Sequence, residues 1–379
     1  MKQLCSALGL ILSVLALSAA ESRPPARPAQ PQGVVSPEIH ADRSVTFRVR
    51  AVNATNVTVS GEWPGGTKPM TRDERGVWSV TLGPLEPDLY GYSFSIDGFQ
   101  TIDPGNSAVK PMRSPRTSIL EIPGETPKPW EFVPSMPHGT VRVHTYQSKS
   151  LGRKRGLQVY TPPGYDQKSS SYPVLYLLHG SGDNEATWTA LGRAQFITDA
   201  LLAEGKARPM IIVMTDGHAM PPQSVGTNAA DRARATGAYE SDLLGDVMPF
   251  VEKNYRVKSG PANRAIIGLS MGGGQSLTIG LNHPELFSWV GGMSSAVSDP
   301  EKTIASALKD AKATNKKLKL LWFACGKDDF LLKRNQDFAE ILTRHGIQHE
   351  YRETAGNHSW PIWRKYLVDF LPLVFTGKN

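Results

Sequence analysis

Cysteine is almost missing from this chain of 379 residues: there are two, Cys5 near the start and Cys325. If the opening stretch is removed, Cys325 is left alone, and a single thiol closes no internal disulfide, so stability must come from the core. Cys325 lies in the run Leu320-Leu321-Trp322-Phe323-Ala324-Cys325 and reads as packing rather than as a nucleophile. A concentrated basic stripe is missing too. The net charge of +7 is modest, and the densest cluster (Lys309, Lys312, Lys316, Lys317, Lys319) reads as a solvated helix and its exit. That excludes a nucleic-acid footprint. No H-E-x-x-H or C-x-x-C spacing occurs, so no metal site is expected. No internal repeat is visible, and no Lys-Ser or Lys-Thr pair follows a glycine-rich loop as a phosphate-binding loop requires.

What is present is globular in composition, 40% apolar and 20% charged. Residues 1–20 read as a secretory signal: Lys2, the apolar run Leu8 to Leu17, then Ser18-Ala19-Ala20 before Glu21. The run is too short for a comfortable membrane span. The expected location is therefore secreted or periplasmic, without stable membrane association after cleavage. Residues 21–37, rich in Pro, Ala, Arg and Gln, read as a linker. From Ser44 the pattern has period two: Val45, Phe47, Val49 and Ala51, then Trp78, Val80 and Leu82, then Tyr90, Tyr92, Phe94 and Ile96, with Asp97-Gly98 closing a hairpin. Short alternating strands between Gly/Pro turns predict a small β-sandwich over 38–122. Residues 123–137 hold five prolines and read as a second linker.

From 138 to 379 strands interleave with helices. The strand candidates are Leu157–Thr161, Val174–Leu178, Met210–Met214, Ala265–Gly268, Trp289–Met293, Leu318–Cys325 and His349–Glu353. Between or beyond them, helices are expected at Ala194–Ala203, Tyr239–Asn254, Gln275–Asn282, Glu301–Ala313, Leu331–His345 and Pro361–Leu371. Nearly continuous apolar strands of this kind predict a mostly parallel sheet with helices on both faces, an α/β fold.

The chemistry centres on Gly268-Leu269-Ser270-Met271-Gly272, the G-x-S-x-G pattern between a buried strand and a helix. A tight turn there lifts a hydroxyl clear of the sheet, and the following helix aims N–H groups at developing negative charge. A serine needs a base, and the base needs an orienting carboxylate. On this fold they follow in the order serine, acid, histidine. His358, in Gly356-Asn357-His358-Ser359-Trp360, follows the last strand; Asp328 and Asp329, in Gly326-Lys327-Asp328-Asp329, follow the strand before it. Their position fits the order, and on spacing alone either aspartate could serve. His218, His283, His345 and His349 read as surface or structural histidines. Two backbone N–H groups should meet the oxyanion, one from Met271 and one from the loop His179-Gly180-Ser181-Gly182.

Together, Val174-Leu175-Tyr176-Leu177-Leu178-His179-Gly180, the Ser270 turn and Gly356-Asn357-His358-Ser359-Trp360 resemble the esterase D-like α/β-hydrolases. Within these the likeness is to carbohydrate esterase family 1, which holds feruloyl and acetylxylan esterases. The resemblance covers residues 138–379 and implies Ser270 as nucleophile, His358 as general base, Asp329 as acid, and Ser181 and Met271 as oxyanion donors. It implies no cofactor. Tyr90-Gly91-Tyr92-Ser93-Phe94-Ser95-Ile96-Asp97-Gly98, followed by Asp103-Pro104-Gly105-Asn106, is similar to the immunoglobulin-like module related to family 48 carbohydrate-binding modules. Trp63 and Trp78 are its candidates for an aromatic platform, although a structural or lid-forming module is the favoured reading.

The expected function is removal of feruloyl or acetyl groups from acylated plant polysaccharide or oligosaccharides through an acyl-enzyme. Trp188, Trp360 and Asp216 are candidates to contact substrate, and the long segment Asp216 to Gly237 is expected to shape the pocket. The rivals are a siderophore trilactone esterase, a mycolyltransferase-like acyl transfer and, in another class, a non-catalytic carbohydrate-binding protein. The oligomeric state leaves no trace in the sequence.

Overall fold

The computed structural model describes residues 33–221 and 228–376. The signal reading of 1–20 and most of the 21–37 linker lie outside them. In the first part of the chain, period two turns into two antiparallel sheets. One orders Glu38–Ile39, Val45–Arg50, Val77–Leu82 and Thr71–Arg72; the other joins Lys68–Pro69, Val57–Gly61, Asp88–Ile96, Phe99–Thr101 and Ser118–Ile122. Val45, Phe47 and Val49 face inward and are at most 3% exposed. Each such side chain contributes about 1.5–3 kcal/mol by leaving water. Trp63 and Trp78 are in the same core, with the Trp63 ring tilted against that of Phe47 at 5.3 Å between centroids. The aromatic-platform candidates are therefore packing residues. Asp97 and Gly98, both at positive φ, close the expected hairpin.

The second part is an eight-stranded sheet. In chain order its strands are β1 (Thr140–Ser148), β2 (Arg153–Thr161), β3 (Val174–Leu178), β4 (Ile211–Thr215), β5 (Arg264–Gly268), β6 (Trp289–Met293), β7 (Leu320–Gly326) and β8 (Glu350–Thr354). Their spatial order is β1-β2-β4-β3-β5-β6-β7-β8, with β2 antiparallel to both its neighbours, β1 and β4, and the strands β3 to β8 mutually parallel. The middle strands are buried along their whole length, as helices on both faces demand. Apolar clusters cover each face, one around Tyr176, Leu178 and Val213, the other around Leu175, Leu177 and Ile212. β1 escaped the sequence reading because it is an edge strand whose side chains are mostly half-buried or exposed.

The helices that matter are α1 (Ala194–Ala203), α2 (Ala229–Asp242), α3 (Met248–Asn254), α4 (Met271–Asn282), α5 (Leu332–Arg344) and α6 (Trp360–Phe370). Two expected helices need correction. The one placed at Tyr239–Asn254 begins ten residues earlier and passes from α2 to α3 through a π-helical turn at Leu243–Val247. Its start is fixed by the Asn228 side chain, which accepts from the Asp231 N–H at 2.8 Å. Asp, Arg and Thr in this stretch hide the apolar period. The segment placed at Glu301–Ala313 is broken into three short helices, at Pro300–Thr303, Ala305–Lys309 and Ala311–Lys317.

Residues from Val34 onward form one unit. Leu89 and Ile119 of the sandwich and Trp130 of the proline-rich connection join the core on one face of the large sheet.

Candidate active site

β5 ends at Gly268, and the chain reverses into α4 within two residues. Ser270 stands between them at φ 51°, ψ −110°, a conformation a serine rarely adopts. The turn is held by the Ser270 N–H donating to Met293 O at 2.8 Å and the Ala296 N–H donating to Ser270 O at 2.9 Å. The flanking glycines are needed for closeness. A Cβ on Gly268 would lie 2.5 Å from the Gly272 backbone, and one on Gly272 would lie 2.5 Å from the His179 carbonyl.

Asp329 and His358 come from the ends of β7 and β8. His358 Nε2 lies 3.0 Å from Ser270 Oγ, and His358 Nδ1 lies 2.9 and 3.0 Å from the two oxygens of Asp329. Of the adjacent aspartates, Asp329 is 5% exposed and faces the imidazole, while Asp328 is exposed. Burial pushes the Asp329 carboxyl up, but His358, the Leu331 N–H at 2.8 Å and the Ser294 hydroxyl outweigh it, holding the group below its ordinary value. Phe330 and Trp363 pack on the imidazole at 4.4 and 4.9 Å between ring centroids. Cys325 is fully buried, and burial pushes its thiol up to about 12, as suits packing.

Ser270 opens onto a cavity of about 650 Å³ that Ser181 and Met271 also line. Met271 is the first residue of α4, so its N–H has no acceptor within the helix. Further walls come from Gly217 to Met220, from the Arg232–Gly237 part of α2, and from Phe330 and Arg334. The segment expected to shape the pocket does so, but from 229 onward as helix rather than loop; residues 222–227 lie outside the described residues.

Three substrate-contact candidates fall elsewhere. Trp188 and Trp360 are 1% and 2% exposed, pack edge to face at 5.0 Å and do not line the cavity. They are core, and the Trp188 N–H is taken up by Leu178 O at 3.0 Å. Asp216 is not among the residues that line the cavity: it accepts from the His218 N–H at 2.9 Å and approaches Arg155 at 3.8 Å. Its contacts brace the loop.

His218 escaped the sequence reading as a site residue. It lines the cavity, and its Nε2 accepts from the Gly182 N–H at 3.1 Å, beside Ser181. In return, the Gly217 N–H donates to His179 Nε2 at 2.9 Å. Two loops thus exchange backbone N–H groups for ring nitrogens, and each acceptor nitrogen must be unprotonated. No periodic signal marks such an exchange. His283, by contrast, is a structural histidine paired with Glu240 at 2.7 Å.

Burial pushes the His218 imidazole down to about 4 from its ordinary 6.5, among Arg113, Arg155, His179 and Asp216. Between those values the unfolded chain binds the extra proton and the folded chain does not, so this group makes stability fall as pH drops from 6.5 toward 4. Urea unfolding at pH 7 and pH 4.5 should show that loss, and His218→Gln, a neutral acceptor, should reduce it. Equal losses in both proteins would exclude His218 as its source.

Residues 148–374 match the family described as Putative esterase, and residues 33–111 match carbohydrate-binding module 48 (isoamylase N-terminal domain). The chain is 32% identical over 358 residues to an endo-1,4-beta-xylanase/feruloyl esterase of Xylanibacter ruminicola, covering 92% of this chain and 47% of that protein. It therefore spans about half the length of that curated relative. A CE1 ferulic acid esterase from Anaeromyces mucronatus, solved in complex with ferulic acid, is similar at TM-score 0.58 and 26% identity, over 68% of this chain and 98% of that one. The enterobactin esterase of Shigella flexneri reaches TM-score 0.62 at 19% identity, over 87% of this chain and 92% of its own, a likeness of fold alone. The fold of the second part is that of the α/β-hydrolases, preceded by an all-β module.

Proposed function

Because the chain belongs to the esterase family and carries a family 48 module ahead of it, we propose that it is exported and removes feruloyl or acetyl groups from plant polysaccharide or its oligosaccharides. It is a carboxylic ester hydrolase of the feruloyl esterase-like kind. The observation that carries the mechanism is the line of contacts from Ser270 Oγ through His358 to Asp329, opening onto a cavity of about 650 Å³.

In this mechanism Ser270 Oγ attacks the ester carbonyl carbon as His358 Nε2 takes its proton. Asp329 keeps the Nδ1 proton in place and offsets the charge of the imidazolium. The carbonyl oxygen becomes an oxyanion that the Ser181 and Met271 N–H groups receive, a donor pair of which each member is worth about 10²–10³ in rate. The tetrahedral adduct collapses, the C–O bond to the sugar breaks, and His358 returns its proton to the leaving sugar oxygen. Water, deprotonated by the same imidazole, then releases the acid and restores Ser270. Phe330 beside His358 and the apolar side chains of Ala219 and Met220 suit an aromatic acyl group.

Methyl ferulate, acetylated xylan and a catecholate trilactone, offered to the same protein, test the reading. Turnover of ferulate or xylan acetyl esters supports it. Turnover of the lactone alone would move the substrate to the siderophore class, and turnover of none would favour a binding protein on a hydrolase scaffold.

A further inference from the structure

The β-sandwich keeps Trp63 and Trp78 in its core. Besides the apolar contacts of Leu89 and Ile119, it presents to the hydrolase domain a set of polar contacts at the two loops that flank Ser270. The first set reaches the loop bearing Ser181. Met112 pairs with Asp183 as an antiparallel bridge, and the Arg113 N–H donates to Gly182 O at 3.0 Å. The Thr187 hydroxyl donates to Pro111 O at 2.7 Å. Lys110 Nζ lies 2.7 Å from Asp183 Oδ1, in a pair whose side chains are only 12% and 4% exposed.

The second set reaches the loop bearing His358. Glu62 accepts from the Trp360 N–H at 2.7 Å with one oxygen and from the Gly91 N–H at 2.6 Å with the other. Trp360 opens α6, two residues after His358, so a carboxylate from the sandwich caps the helix on which the histidine loop is seated. Further along α6, fully buried Arg364 donates to Asp88 and to Leu89 O, both at 2.6 Å.

Gly180-Ser181-Gly182 has little stiffness of its own: two of its three residues are glycine, and Gly182 sits at φ 84°. Its N–H directions are set by what lies around it, and much of that belongs to the sandwich. We infer that the β-module is a positioning component of the active site. Lys110 and the Pro111–Arg113 backbone hold the oxyanion loop, and Glu62 holds the His358 loop. The inference rests on Ser270 being the nucleophile and goes beyond that reading by placing part of the machinery in the other domain.

Lys110→Met removes the cation and leaves the Asp183 carboxylate buried without it, so the loop must shift to reach water. Labelling of Ser270 by an alkyl fluorophosphonate needs both the oxyanion donors and His358. In Lys110→Met it should be about tenfold slower, with kcat for methyl ferulate lowered in step and KM within about twofold. Lys110→Arg, which keeps the charge, should recover most of the rate. Glu62→Gln supplies an independent variant, since the amide retains one acceptor: kcat should fall by about threefold or more with KM unchanged. A loss of melting temperature with wild-type labelling and kcat would make these contacts structural only and overturn the inference. If wild type itself resists labelling, the nucleophile assignment fails instead, an outcome distinct from equal labelling of wild type and variant.

Discussion

Ser270→Ala should lower kcat for methyl ferulate by at least about 10⁴-fold while leaving the melting temperature within about 2 °C of wild type. The activity loss follows from removing the only atom of the residue that reaches His358 Nε2, at 3.0 Å. Stability should hold because the turn is fixed through the backbone: the Ser270 N–H to Met293 O and the Ala296 N–H to Ser270 O survive the substitution. The strained φ of 51° is carried equally by alanine. Stopped-flow release of a chromogenic ester alcohol should also lose any burst, since no acyl-enzyme forms without the hydroxyl. Wild-type turnover in this variant would remove Ser270 from the mechanism.

Asp329→Asn should lower kcat by about 10³–10⁴-fold, whereas Asp328→Asn should change it by less than about twofold. An amide facing His358 Nδ1 presents an N–H or a weaker acceptor, which favours the tautomer with the proton on Nε2. That imidazole cannot take the proton of Ser270 Oγ. Asp329 is also the residue whose carboxyl is held below its ordinary value, against the effect of burial, by contacts with His358, Leu331 and Ser294. Asp328 is exposed, and its replacement touches none of these groups. Single-turnover rates for both variants decide the matter, and the reverse pattern would give the acid role to Asp328.

Recognising the strands depended on local patterns, and where those patterns were weak the reading failed for identifiable reasons. Val174–Leu178 and Trp289–Met293 coincide with the observed strands because fully buried strands are apolar at every position. The edge strand Thr140–Ser148 is polar on most positions and left no such trace. The first ten residues of helix Ala229–Asp242 leave no signal for a similar reason, since its buried residues, Tyr239 and Asp242, stand near its end. Chemical type makes Trp188 and Trp360 candidates for the site, but both rings are buried and pack edge to face on each other, a contact between residues 172 positions apart that no local pattern reveals.

By itself, then, the sequence determined the strand–turn–helix around Ser270, the sandwich ahead of it, and the downstream order of carboxylate and imidazole. Each of these is encoded within a few residues, by period, by glycine and by position after a strand. Only the tertiary structure decided which of two adjacent aspartates faces His358, that His218 holds the loop beside Ser181, and that Glu62 caps a helix 298 residues further on. Those choices depend on the direction of single side chains across long separations. Such contacts have no repeat, and so no periodic signature for a sequence to display.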